Sequence, residues 1–105
     1  MENIIQDFCK AWQTLDSELI TKHLSDDFIY DSQWVFESLN CEKYKEYIEE
    51  KFATLRKNNI SLSVDVVDDS FMGGKMLRIL QGDTTCYYRI KVKDGKVTKG
   101  DLCMF

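Results

Sequence analysis

The chain lacks the features that mark membrane, secreted and nucleic-acid-binding proteins. Its apolar runs are far shorter than the roughly 20 residues that a membrane span needs. No basic cluster precedes an apolar stretch in residues 1–6, as it would in a secretion signal. The formal net charge is −4 and basic residues are interleaved with acidic ones, which disfavours binding to a phosphate backbone. We therefore expect a cytoplasmic protein that binds neither membrane nor nucleic acid.

Spacings typical of metal and redox sites are also missing. No two of the four cysteines have the C-x-x-C separation of a zinc site or redox pair. His23 is the single histidine, so little is available to activate a thiol as a nucleophile. The acidic pairs at 26–27 and 68–69 lack the offsets of a calcium loop and are interpreted as turn residues. We predict no metal and no cofactor, and interpret the cysteines as reduced: Cys9, Cys41, Cys86 and Cys103.

A change in the spacing of apolar residues divides the chain into two parts. Through Lys57 apolar residues recur mostly at helical spacing, whereas residues 60–105 read as extended strand interrupted by turn signals. Helices followed by a strand meander predict an α+β domain with its helices on one face of a mainly antiparallel sheet. A chain of 105 residues is expected to form one such domain, covering residues 1–105.

Local signals place the individual elements. Asp16 and Asn40 are typical N-cap residues, and Asn58-Asn59 would end the helix that follows Asn40. The predicted helices cover about 2–15, 17–24 and 41–57, with a turn at 25–27 and short extended pieces at 28–32 and 33–39. The predicted meander has four strands, separated by turn signals at 68–74, Gly82-Asp83 and Asp94-Gly95.

The predicted strand at 75–81 carries apolar side chains on both faces. Leu77 and Ile79 alternate with Met76 and Leu80. A strand that is apolar on both faces needs cover on both. Because the helices cover one face, we predict that a second copy of the chain covers the other, which gives a homodimer through the outer sheet face.

The order of these features resembles the NTF2-like (SnoaL-like) superfamily. The features that carry the resemblance are Phe8 and Trp12 on the first helix, Leu15-Asp16, the stretch His23 to Tyr30, a capped third helix ending in Phe52 and Leu55, and Asp94-Gly95-Lys96-Val97. The resemblance implies a cystatin-like cone, in which three N-terminal helices pack on a curved, mainly antiparallel β-sheet and leave a mostly apolar pocket between them.

The resemblance also suggests which side chains line that pocket. Tyr30 and Tyr88 would face the helices with phenol groups that can orient a ligand, although ordinary core tyrosines are an open alternative. Trp12 would supply a flat wall, Ser32 would be a further pocket residue, and Trp34 would lie at the mouth. Arg78 would lie either at the dimer surface or inside the pocket, as an anchor for a carboxylate ligand.

Catalysis without a cofactor is a second implication. Isomerases of the superfamily use a tyrosine, an aspartate base and a protonated aspartate, and this chain has Phe8, Ser32 and Tyr87 or Tyr88 at those places. Steroid-type isomerisation is therefore not expected. Asp31, beside Ser32, and Asp101, on the last strand, are the candidate catalytic carboxylates.

Three functional hypotheses follow. The first is binding of a small, largely apolar molecule between the helices and the sheet. The second is a cofactor-independent isomerase, cyclase or dehydratase. The third is a homodimeric interaction module whose interior is filled by its own aromatic side chains. Fold alone does not choose among them.

Overall fold

The computed structural model describes residues 2–32, 38–60, 62–69 and 73–104. Within these ranges the chain forms one mixed sheet with the strand order β2-β1-β6-β5-β4-β3. Neighbouring strands are antiparallel except β1 and β6, which are parallel. The elements are α1 (Glu2–Thr14), α2 (Glu18–Thr21), β1 (Leu24–Ser32), β2 (Ser38–Asn40), α3 (Cys41–Lys57), β3 (Ser63–Asp68), β4 (Lys75–Gln81), β5 (Thr84–Lys93) and β6 (Lys96–Met104). The prediction of an α+β fold is confirmed.

Helix α3 begins and ends at the residues that local chemistry predicts. The Asn40 side chain accepts a hydrogen bond from the Lys43 backbone N–H at 2.9 Å, which satisfies one of the free donors of the first turn. Asn59 has a positive φ of 56°, and the N–H of Ile60 closes the last turn on the Leu55 carbonyl at 2.9 Å. The buried stripe of α3 is Cys41, Tyr44, Ile48, Phe52 and Leu55.

Helix α2 is shorter than predicted. The N-cap position is occupied by Ser17 and not, as predicted, by Asp16, although the Asp16 carboxylate accepts a hydrogen bond from the Glu18 backbone N–H at 3.1 Å. The helix nevertheless ends at Thr21, because Leu24 already pairs with Val97 in the sheet. The predicted extent of 17–24 is therefore wrong at its C-terminal end.

Residues 25–27 lie inside β1, so the predicted turn is wrong. Leu24 pairs with Val97 and the next pair joins Ile29 to Lys99, so residues 25–28 bulge between the two pairs. A bulge lets polar residues remain in an extended strand without regular ladder bonds. The Ser25 hydroxyl donates to the Asp27 carboxylate at 2.6 Å within this bulge.

The four-stranded meander is confirmed. Strand β4 has the predicted bounds, whereas β3 begins at Ser63 instead of Ile60. Asp94 and Gly95 both have positive φ, 53° and 78°, as a two-residue hairpin turn of the primed type requires. Of the predicted extended piece 33–39, β2 covers only residues 38 and 39; residues 33–37 lie outside the described residues.

Strand register sorts the side chains of the sheet onto two faces. Leu77, Tyr88 and Leu102 are cross-strand neighbours on the inner face, where Phe8 and Trp12 of α1 and Tyr44 of α3 all contact Tyr88. Both helices therefore cover the same face. The outer face, defined by the alternate positions, carries Asp31, Asp65, Arg78, Tyr87, Arg89, Lys91, Lys99, Asp101 and Cys103.

Candidate functional site

Aromatic side chains from both long helices and from the sheet meet in the interior. The ring centroids of Tyr30 and Tyr44 are 4.5 Å apart, and those of Phe28 and Tyr44 are 5.0 Å apart. We call this set of buried rings the aromatic cluster; its members are Phe8, Trp12, Phe28, Tyr30, Tyr44, Phe52 and Tyr88. It is the candidate site, because apolar walls with a few polar atoms are typical of small-molecule sites.

A pair of tyrosine hydroxyls lies at the centre of the cluster. The Oη atoms of Tyr44 and Tyr88 are 2.9 Å apart, and both side chains are fully buried. Burial raises the pKa of each phenol well above its ordinary value, so both stay protonated. One hydroxyl donates to the other, which leaves one hydroxyl hydrogen to donate to a further acceptor.

Trp12 contributes a second polar atom to the interior. Its side chain is 3% exposed and packs edge-on against Phe52, with the ring centroids 5.0 Å apart. The indole Nε1 is buried and has no hydrogen-bond partner among the residues that the structure describes. Leaving such a donor unsatisfied costs about 1–3 kcal/mol, so Trp12 offers a bond that no described protein atom accepts.

Gly100 makes room for Tyr88. A Cβ added at Gly100 would overlap the Tyr88 hydroxyl and would lie 3.2 Å from the Phe28 ring. Only a residue without a side chain allows Tyr88 to lie this close to β6. Sequence reasoning missed both Gly100 and Tyr44. The available signal for Gly100 was a glycine inside a predicted strand. For Tyr44 the sequence indicated only a position on the buried stripe of α3.

Four of the predicted pocket residues lie at the inner face. The rings of Tyr30 and Tyr88 stack with centroids 5.9 Å apart, and those of Trp12 and Tyr88 are 6.3 Å apart. Ser32, two positions after Tyr30 on β1, is 7% exposed. Trp34 lies outside the described residues.

Arg78 is not with the aromatic cluster. It lies on the outer face, where Nη2 and Nε bind the Asp65 carboxylate at 2.7 Å and 3.1 Å. The sequence left open whether Arg78 lies at the surface or inside the pocket, and in the structure it lies at the surface. The reason is alternation: Leu77 and Ile79 point inward, so the residue between them points outward.

Asp31 and Asp101 also lie on the outer face, as neighbours across β1 and β6. Lys99 Nζ is 3.3 Å from an Asp31 oxygen and 4.0 Å from an Asp101 oxygen. The hydrogen bond from the Ser38 hydroxyl, followed by Lys99, holds the pKa of Asp31 below its ordinary value. A lower pKa makes this carboxylate a weaker base, and the sheet separates both residues from the tyrosines.

His23 joins the first two helices to each other. Its Nε2 lies 2.7 Å from the Asp7 carboxylate of α1, and the hydrogen bond lowers the pKa of Asp7. The His23 ring is 6.4 Å from that of Phe8, at the border of the aromatic cluster. His23 is therefore bonded to a carboxylate of α1.

The cysteines are free, and three of them are buried. Burial raises the pKa of the Cys9 and Cys86 thiols, which keeps them protonated and weakly nucleophilic. In the part of the chain that the structure describes, no three His, Cys, Asp or Glu side chains converge as metal ligands. The described helices include none with the length and apolar character that crossing a bilayer requires.

Comparison with known proteins identifies the fold. No family model and no curated protein matches the sequence. Among solved structures, the chain is similar to a SnoaL-like protein of unknown function from Burkholderia thailandensis, with TM-score 0.73, 16% identity, and 99% of this chain and 92% of that chain covered. It is also similar to an NTF2-like protein of unknown function from Cytophaga hutchinsonii, with TM-score 0.69, 12% identity and coverages of 99% and 88%.

A third similar structure is a cystatin-fold protein from Novosphingobium aromaticivorans, with TM-score 0.69, 10% identity, and 95% of this chain and 94% of that chain covered. These likenesses show the NTF2-like, SnoaL-like fold, which confirms the predicted resemblance. At such identities they concern the fold alone, so any function has to be argued from the residues.

Proposed function

We propose that this protein of NTF2-like fold binds a small, flat, largely apolar molecule that carries one hydrogen-bond acceptor. The binding site is the aromatic cluster between the helices and the sheet. Aromatic faces from Trp12, Tyr30 and Tyr88 would contact the ligand, and donors in the cluster would orient its acceptor atom.

The unsatisfied Trp12 N–H is the observation that carries this proposal. Buried donors are almost always paired, so a donor of a side chain at 3% exposure that has no partner among the described residues favours an acceptor supplied by a ligand. The Tyr44–Tyr88 pair holds a second hydrogen that is available for donation. A carbonyl or ether oxygen of a ligand would satisfy one of these donors without placing a charge in the apolar interior.

Binding has more support than catalysis. Among the described residues the one buried carboxylate is Asp69, which is paired with Arg89 on the outer side of the sheet. The candidate catalytic groups Asp31 and Asp101 lie on that side as well. The titratable groups of the cluster are phenols that burial keeps neutral, so they can donate hydrogen bonds but are poor bases at neutral pH.

The test uses two probes that differ in one acceptor, 2-acetylnaphthalene and 2-ethylnaphthalene. Wild type should bind the ketone about tenfold more tightly in equilibrium titrations, which corresponds to one net hydrogen bond of about 1.4 kcal/mol. Trp12→Phe keeps an aromatic ring but removes the N–H, and should reduce the preference for the ketone to about threefold or less.

Tyr87→Phe is the matched control, because it removes a hydroxyl from the outer face of the same strand that carries Tyr88. It should leave the affinities for both probes unchanged. Equal affinities of wild type for the two naphthalenes, or no measurable binding of either, would contradict the proposal.

Self-association through the outer face is the second candidate function. The close contacts within the aromatic cluster, with centroids as near as 4.5 Å, favour an interior filled by its own side chains. The outer face carries the exposed Ile29 on β1 and the half-buried Tyr87 on β5 and Leu80 on β4, which would be buried by a second copy. Sedimentation at micromolar concentration should give twice the chain mass, and Tyr87→Asp should give one chain mass. A wild-type mass of one chain excludes this candidate.

A further inference from the structure

A cavity of about 290 Å³ lies along the outer face, between the start of β4 and the middle of β5 and β6. Four basic side chains line it, Lys75, Arg89, Lys91 and Lys99, together with two carboxylates, Asp69 and Asp101. We call this cavity the basic groove. Its character differs from that of the chain as a whole, which has a net charge of −4.

Three of the four basic side chains have carboxylate partners. Arg89 Nε is 2.6 Å from Asp69, whose side chain is 3% exposed, so this pair is firmly placed. Lys99 shares Asp31 and Asp101, and Lys75 pairs with an exposed carboxylate on β3. Lys91 is exposed and has no ion pair with any residue of the described ranges, so among the four basic side chains of the groove it is the one without a carboxylate partner there.

A second basic side chain of the groove lies directly opposite Lys91. In the β5–β6 register Lys91 pairs with Lys99, immediately before a bulge in the ladder. Like charges directly opposite each other in an antiparallel pair are destabilising. An anion between the two ammonium groups would turn this repulsion into attraction and would balance the charge of Lys91.

The groove is small. Its volume of about 290 Å³ is at the lower end of the range of small-molecule sites. A bound ligand would therefore be small, with one anionic group.

We propose that the basic groove binds the anionic group of a small organic acid between Lys91 and Lys99. The anionic group is a carboxylate or a phosphate monoester. The site lies across the sheet from the aromatic cluster, so it does not depend on binding in the interior.

The test compares three aliphatic probes: pentanoate, butyl phosphate and the neutral pentanamide. Wild type should bind at least one of the anions about tenfold more tightly than pentanamide, and its affinity should fall as salt is added. The comparison between the two anions identifies which anionic group the groove prefers.

Lys91→Gln and Lys99→Gln should each weaken binding of the preferred anion about tenfold. Lys93→Gln is the matched control, because Lys93 is an exposed lysine of the same strand that faces Lys96 and does not line the groove. Trp12→Phe is a second control, which separates this site from the interior. Both controls should bind the preferred anion like wild type.

Folding of the variants is checked without any ligand. Lys91→Gln removes a like-charge contact, so its melting temperature should equal or exceed that of wild type. The proposal is overturned if Lys91→Gln binds the anions as tightly as wild type, if Lys93→Gln weakens binding equally, or if neither anion binds more tightly than pentanamide.

Discussion

The two faces of one sheet have opposite chemistry. On the inner face Tyr88 and its neighbours are neutral and buried, and the Tyr88 hydroxyl bonds to that of Tyr44. On the outer face Arg89, one residue along the same strand, is paired with a carboxylate. Because strand side chains alternate, adjacent residues are placed in different environments. The inner face is therefore suited to recognising shape and hydrogen bonding, and the outer face to recognising charge.

The largest expected difference in stability is between alanine substitutions of two adjacent tyrosines. Tyr88→Ala should lower the free energy of unfolding by about 3–5 kcal/mol, because it leaves a cavity in the aromatic cluster and removes the partner of the Tyr44 hydroxyl. Tyr87→Ala, on the half-buried outer face, should cost about 1 kcal/mol. Urea denaturation of both variants measures the difference, and equal losses would show that the two faces are not energetically distinct.

A second comparison concerns two ion pairs of the outer side. Asp69→Ala should cost about 1–3 kcal/mol, because Asp69 is 3% exposed and its loss leaves Arg89 without its closest partner. Asp65→Ala should cost no more than about 1 kcal/mol, since both Asp65 and Arg78 are more than 40% exposed. Denaturant titration compares them. An equal cost would mean that burial does not set the strength of these pairs.

Gly100 tests how closely the inner face is packed. Gly100→Ala should cost about 1–3 kcal/mol, because the added methyl group overlaps the Tyr88 hydroxyl. Tyr88→Phe removes that hydroxyl, so in the double variant Gly100→Ala should cost less than in wild type. A double-mutant cycle in urea measures the coupling. If the two substitutions have additive effects, the cost of Gly100→Ala does not come from overlap with the Tyr88 hydroxyl.

The smallest expected effect is a dependence on pH at the border of the aromatic cluster. The pKa of Asp7 is lowered in the folded protein by His23 and Lys22, so its contribution to stability is present above its ordinary pKa and is lost as the pH falls below about 4. Asp7→Asn should therefore have a lower free energy of unfolding at neutral pH, and this free energy should fall less than that of wild type as the pH is lowered below about 4. Asp83→Asn, at an exposed position, controls for the loss of one charge. If the free energy of unfolding falls equally with acid pH in wild type and Asp7→Asn, the proposed role of Asp7 is wrong.

Most of the fold could be predicted because its signals are local. The Asn40 cap needs only the first turn of α3, and the Asp94-Gly95 turn needs only two residues with positive φ. The turn predicted at 25–27 failed because a bulge holds those residues in a strand. The bulge exists only through pairing between Leu24 and Val97, which are distant in the sequence.

The candidate site was predicted in part. Tyr30, Tyr88 and Trp12 do meet in the interior, as the resemblance implied. The direction of Asp31, Asp101 and Arg78 could not be read from the sequence, because a shift of one residue in register reverses the face of every side chain.

The amino-acid sequence by itself determined the type and order of the main elements, through apolar period, caps and turn residues that act over a few positions. Tertiary structure alone decided which side of the sheet each functional side chain occupies and which distant groups meet. The close approach of Tyr88 to Gly100 and the opposition of Lys91 to Lys99 both arise from strand register. Register is set by the packing of the whole sheet against the helices, so no short segment of the sequence encodes it.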